Sequence, residues 1–119
     1  MKKRPEPFIH HIIDAAAAIE EYLSDCDFEL FAKTNIVQDA VLRKIGVIGE
    51  ACTNLEEGFK QSYPNIPWKK ISGMRNRLTH EYWDIDLEIV WTTATVDIPS
   101  LKQQLVELLE KIPSVMSES

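Results

Sequence analysis

Residues 35–59 read NIVQDAVLRKIGVIGEACTNLEEGF. Val37, Val41, Ile45, Ile48, Cys52, Leu55 and Phe59 step by three and four along this stretch, which predicts one long helix with a broad apolar side. Ala40, Val47 and Ala51 form a second line of smaller residues, with Gly46 and Gly49 nearby, so a helix here can approach two neighbours closely. Thr34 or Asn35 can cap its start, because a short side-chain oxygen accepts an orphan backbone N–H. Pro64 stops it.

The flanks repeat the pattern. Upstream, Pro5 and Pro7 lead into Phe8, Ile12, Ala15, Ala16, Ile19 and Leu23, one stripe over several turns. A polar break from Ser24 to Asp27 follows, and Leu30 and Phe31 suggest a short helical turn. Downstream, Pro67 suits the first turn of a third helix, where its missing N–H costs nothing. Asp84 or Asp86 can cap a fourth, carrying Leu87, Val90, Trp91 and Ala94, which Asp97 and Pro99 restart or kink. Leu101, Leu105, Leu108, Leu109 and Ile112 complete a last amphipathic segment, with a frayed tail after Pro113. Short connections between amphipathic helices predict an all-α antiparallel bundle of four to five helices, a single domain over residues 1–119.

Composition narrows the classes. The chain has 119 residues, 45% hydrophobic and 27% charged, the mix of a globular domain rather than a disordered segment. No apolar run reaches the roughly 18 residues of a membrane span, and MKKRPEPF leads into His10, His11 and Asp14 rather than an apolar signal core. Cys26 and Cys52 are too few for a disulfide framework and read as reduced, buried small hydrophobes. A cytoplasmic protein without a membrane anchor is the expectation. A net charge of −6 argues against a generic nucleic-acid coat. The charge is uneven, however. Between Glu57 and Glu81 no acidic residue occurs, while Lys60, Lys69, Lys70, Arg75 and Arg77 do, with His80 at the end. Such a segment can attract a phosphate, or it can be a solvated face that balances acidic neighbours.

The segment Ile71 to Ile85, ISGMRNRLTHEYWDI, carries the chemistry. At about 100° per residue, Ile71, Met74, Leu78 and Ile85 share one arc and face the core. Arg75, Asn76, Thr79, His80, Tyr82 and Trp83 fall outside it, with His80 almost opposite. Histidine moves protons near neutrality, arginine holds phosphate bidentately, and asparagine and tyrosine can position a nucleotide. Together they suit metal-free cleavage of RNA, in which the 2′-hydroxyl is the internal nucleophile. The same residues also read as a helix surface with an Arg77–Glu81 ion pair beside an interface histidine, and spacing alone leaves both open.

Other constellations are weaker. His10 and Asp14 lie four apart, but no third metal ligand is evident, and adjacent His10 and His11 point about 100° apart. Trp68, Trp83 and Trp91 read as core and interface anchors. There is no glycine-rich phosphate loop, no Ser-His-Asp set and no paired-carboxylate motif.

Arg75-Asn-Arg-Leu-Thr-His80-Glu-Tyr82 fits the R-x4-H-x-Y motif of HEPN domains, and the surroundings resemble the HepT-like branch. FIHHIIDAAAAIEEYL resembles its first helix, AVLRKIGVIGEACTNL its long second helix, YPNIPWKKISGMRNRLTHEYWDID its signature region and VDIPSLKQQLVELL its closing helix. The resemblance implies an endoribonuclease toxin of a type VII-like toxin–antitoxin pair. It implies a homodimer whose motif helices meet in a composite RNA-cleaving cleft that uses no metal or other cofactor. Arg75 and His80 are then catalytic, Asn76 positions substrate, and Tyr82 receives AMP from a minimal nucleotidyltransferase antitoxin. The alternative is a non-catalytic HEPN module that binds nucleotide or serves as an adaptor for a nucleotidyltransferase.

Overall fold

The computed structural model describes residues 4–80 and 85–112, and the side chains of all of these except 75–80. They form α1 (Glu6–Tyr22), α2 (Phe28–Lys33), α3 (Asn35–Asn54), α4 (Glu57–Gln61), α5 (Trp68–His80), α6 (Leu87–Thr92) and α7 (Ile98–Lys111), with a π-helical turn, Thr93–Asp97, joining the last two. No strand occurs among the described residues. The architecture is the all-α bundle that the periodicity predicts, with the short helices α2, α4 and α6 joining four longer ones.

Helix α3 is the central member and packs against α1 and α5, while α1 also packs against α7. The stripes predicted from sequence supply the core: Ile12, Ala16 and Ile19 from α1, Val41, Ile45, Ile48 and Cys52 from α3, and Leu101 and Leu105 from α7 are all buried. Phe31 of α2 closes one end, fully buried against the ring of Trp91 at a centroid distance of 5.4 Å. On the surface, the Lys102 ammonium donates to Glu20 across 2.6 Å and ties α7 to α1.

Several local expectations change. Thr34 does occupy the cap position of α3, but its hydroxyl donates backwards to the Leu30 carbonyl at 2.7 Å instead of accepting from the helix. Asp27 and Asp86 are the working caps: the Asp27 carboxylate accepts from Leu30 N–H at 2.9 Å, and Asp86 accepts from Glu88 N–H at 2.9 Å. Helix α3 ends at Asn54 rather than running to Phe59, because Leu55 and Glu56 are extended. Near its end the Thr53 hydroxyl and Asn54 amide donate back to the Gly49 and Glu50 carbonyls, and the Cys52 carbonyl, one of the last four, accepts from Lys60. Leu30 is half exposed, and Cys26 is a half-buried free thiol, whereas Cys52 is buried.

The kink expected at Asp97 and Pro99 is the π turn. A proline ring would clash with the carbonyl four residues earlier, that of Thr95, and a widened turn relieves this. Among the described residues no helix is long and apolar enough to cross a membrane.

Candidate active site

Helix α5 carries the predicted motif, and its first two turns are anchored from three directions. Trp68 is buried, and its indole N–H donates to the carbonyls of Lys60 and Tyr63, both at 3.1 Å. The Phe59 ring lies tilted against both, its centroid 6.3 Å from that of Trp68 and 5.1 Å from that of Tyr63. Ile71 is buried and Met74 packs on the same core, as their place in the predicted inward arc requires. On the outer side, the Lys70 ammonium pairs with Asp97 of the π turn at 3.4 Å, which ties the helix to the C-terminal segment. Pro67 stands one residue before the helix, and its carbonyl accepts the Ile71 N–H at 3.2 Å.

Positions 75, 76 and 80 lie on the last two turns of this continuous helix. Position 75 follows buried Ile71 by four residues, at the border of the inward stripe. Positions 76 and 80 follow Lys69 and Gly73 by seven each, so they continue the stripe that those two residues begin. The side chains of Arg75, Asn76 and His80 lie outside the described residues, as does Tyr82 altogether.

Beside the first turns of α5 the structure opens a cleft of about 850 Å³, walled by the end of α3, by α4 and by α5. Thr53, Lys60, Lys69, Ser72 and Gly73 line it, together with Glu57. The lysines come from the acid-free stretch noted in the sequence. What spacing did not reveal is that the break after Asn54 turns α4 back, so that Lys60 shares a cleft with Lys69. Lys60 is partly occupied: its ammonium donates to the Cys52 carbonyl at 3.2 Å and stands 4.0 Å from Glu57.

The Cys52 thiol beneath this site is not a nucleophile. Burial pushes its pKa up to about 12, and the nearby Lys60 charge opposes this only in part. His10, His11 and Asp14 are exposed on α1. Among the described residues no three His, Cys, Asp or Glu side chains gather where they could hold a metal ion.

Comparison with known proteins bears on this arrangement. Residues 12–108 match the family described as HepT-like, ribonuclease HepT-like. A protein of Caldanaerobacter subterraneus subsp. tengcongensis, named as a candidate RNase, is 37% identical over 109 residues, covering 92% of this chain and 97% of the relative. A protein of Thermococcus cleftensis named "Probable ribonuclease HepT" is 37% identical over 108 residues, covering 91% and 98%. A candidate RNase of Methanocaldococcus jannaschii is 32% identical over 104 residues, covering 87% and 95%. No solved structure matches the chain. The family match over residues 12–108 and the identity across nearly the whole length of these relatives establish that the chain belongs to the HepT-like ribonuclease family of HEPN proteins.

Proposed function

We propose that this protein is a metal-independent RNA endonuclease toxin, acting as a homodimer and silenced by a minimal nucleotidyltransferase antitoxin. The observation that carries the reading is the intact Arg75–His80 pair on the last two turns of α5, in a chain whose family is that of ribonuclease HepT. In this reading His80 moves the proton, Arg75 stabilises charge developing on the phosphate, and Asn76 orients one or the other. The single histidine in each chain's motif is poorly suited to serve as both base and acid. A two-fold pairing of motif helices supplies the second.

Tyr82 is the regulatory position. It follows Arg75 by seven residues, and AMP added there sets a bulky anion beside the phosphate site. Such a modification blocks RNA by occupancy and by repulsion, without a global rearrangement.

The test is cleavage of single-stranded RNA by the purified protein in EDTA. Activity should persist in the chelator and fall roughly 100-fold or more in His80→Ala and in Arg75→Ala. Activity that survives His80→Ala, or that vanishes with EDTA, overturns the mechanism. For the switch, the protein is incubated with ATP and a minimal nucleotidyltransferase of the proposed antitoxin class, and its intact mass is measured. Additions in multiples of an AMP unit, absent in Tyr82→Phe, are the expected result.

A further inference from the structure

The ribonuclease reading explains the last turns of α5 and leaves the cleft beside its first turns without a task. That cleft has three properties that belong together. It is basic in an acidic protein: Lys60, Lys69 and Lys70 line it against the carboxylate of Glu57. Lys70 is neutralised by Asp97 and Lys60 is partly engaged, but Lys69 is exposed and makes no ion pair with a described residue.

Its floor includes Gly73, in the middle of a helix, where glycine is disfavoured relative to alanine. The backbone of Gly73 does not need a glycine, since no described glycine has positive φ. Packing does not need it either: a Cβ built there meets nothing within 4 Å. Gly46 and Gly58 are equally open, so openness alone selects nothing. Gly73 differs in lying between exposed Lys69 and the motif turns.

The third property is register. Lys69 and Gly73 begin the stripe that positions 76 and 80 continue seven residues on, about 10 Å along the axis. The cleft therefore leads along one face of one helix to the place where His80 is proposed to act.

We propose that this cleft holds the RNA strand next to the bond that is cut, with Lys69 contacting a backbone phosphate and the bare backbone at Gly73 admitting the chain. The proposal rests on the ribonuclease reading and adds a binding subsite to it. Lysine acts as a point charge on phosphate, so the contact contributes affinity and register without base specificity. A substrate too short to reach the cleft must do without it.

The experiment measures binding and cleavage separately. Binding of a fluorescein-labelled oligouridine is followed by anisotropy across a salt series, in a His80→Ala background that does not cut it. Cleavage is followed on the same oligonucleotide and on the dinucleotide uridylyl-adenosine. The variants are Lys69→Glu and Gly73→Leu, the latter adding bulk to the cleft at a position where a Cβ meets nothing within 4 Å, with Lys33→Glu on α2 as the control. Circular dichroism confirms that each is folded.

Lys69→Glu should bind several-fold more weakly, with a salt slope shallower by about 0.7, the loss of one phosphate contact on a single strand. Both cleft variants should raise KM for the oligonucleotide with little change in kcat, and leave dinucleotide cleavage untouched. A wild-type slope in Lys69→Glu, or an equal loss on the dinucleotide, overturns the subsite. If the wild-type protein cuts neither substrate, the ribonuclease reading fails by itself, and the binding slope still decides whether the cleft holds RNA.

Discussion

The ammonium of Lys60, on α4, donates to the backbone carbonyl of Cys52, on α3, across 3.2 Å. This contact spans the break between the two helices. The final carbonyls of a helix have no partner within it, and a cation near that end also complements the helix dipole. The lysine stem is largely covered, its side chain only 14% exposed, so the bond is shielded from competing water.

Replacing this residue by methionine keeps the stem and deletes the donor. Lys60→Met should lower stability by about 1–2 kcal/mol, the usual scale for a hydrogen bond from a charged group once the Leu55 N–H is left to serve the carbonyl alone. Urea unfolding with an unchanged m-value checks it. A larger loss would mean that α4 detaches altogether.

The same neighbourhood sets a pH dependence. The Cys52 thiol is held neutral by burial, its pKa raised from 9.0 to about 12 in the folded chain. Below the unfolded value both states bind the proton and the contribution to stability is constant. As pH rises from 9.0 towards about 12 the unfolded thiol ionises while the folded one does not, so stability falls. Cys52→Ala removes this slope, up to about 1.4 kcal/mol per pH unit, whatever the other residues titrating there contribute. The difference between the unfolding free energies of the two proteins should be constant below pH 9.0 and shift steadily in favour of Cys52→Ala as pH rises through that window. Below pH 9 Cys52 should also resist thiol reagents in the native state, while half-buried Cys26 reacts.

The long-range skeleton was legible because burial imposes a period. Ile12, Ala16 and Ile19, then Val41, Ile45 and Ile48, then Leu101 and Leu105 are spaced by what a helix needs, and all are buried. The end of α3 was not legible. Asn54, Leu55 and Glu56 include neither glycine nor proline, and Phe59 keeps the apolar rhythm because it still packs on the core from the next helix. Periodicity cannot distinguish one helix from two that share a core. Thr34 takes the cap position that spacing predicts, but a hydroxyl can bond forwards or backwards, and position alone does not choose. At the candidate site, spacing gave the inward arc of Ile71 and Met74. The roles proposed for Arg75, Asn76, His80 and Tyr82 rest on the motif and the family.

Core and surface positions of similar chemistry should separate cleanly. Leu105 is fully buried between helices, whereas Ile36 is 82% exposed at the start of α3. Leu105→Ala should cost about 2–5 kcal/mol through lost transfer energy and a residual cavity. Ile36→Ala should stay within about 0.5 kcal/mol. Thermal melts of the two variants under identical conditions make the comparison. A destabilising Ile36→Ala would reveal that a partner, such as a second copy, covers that residue in solution.

The proposed dimeric mechanism has a stoichiometric signature that does not require seeing the interface. If each catalytic event uses one His80 as base and the partner's His80 as acid, a dimer with one wild-type and one His80→Ala subunit is as crippled as the double variant. If instead each chain cuts alone, such a dimer keeps half its activity. Co-refolding wild-type protein with increasing proportions of His80→Ala gives a statistical mixture of the three dimers. Activity per total protein should then fall with the square of the wild-type fraction, not in proportion to it. Mixing the folded proteins briefly, without subunit exchange, should restore the proportional line and serves as the control. A proportional decline after verified co-refolding would place the whole proton-transfer chemistry within one chain, where Arg75, Asn76 and a single His80 would have to suffice.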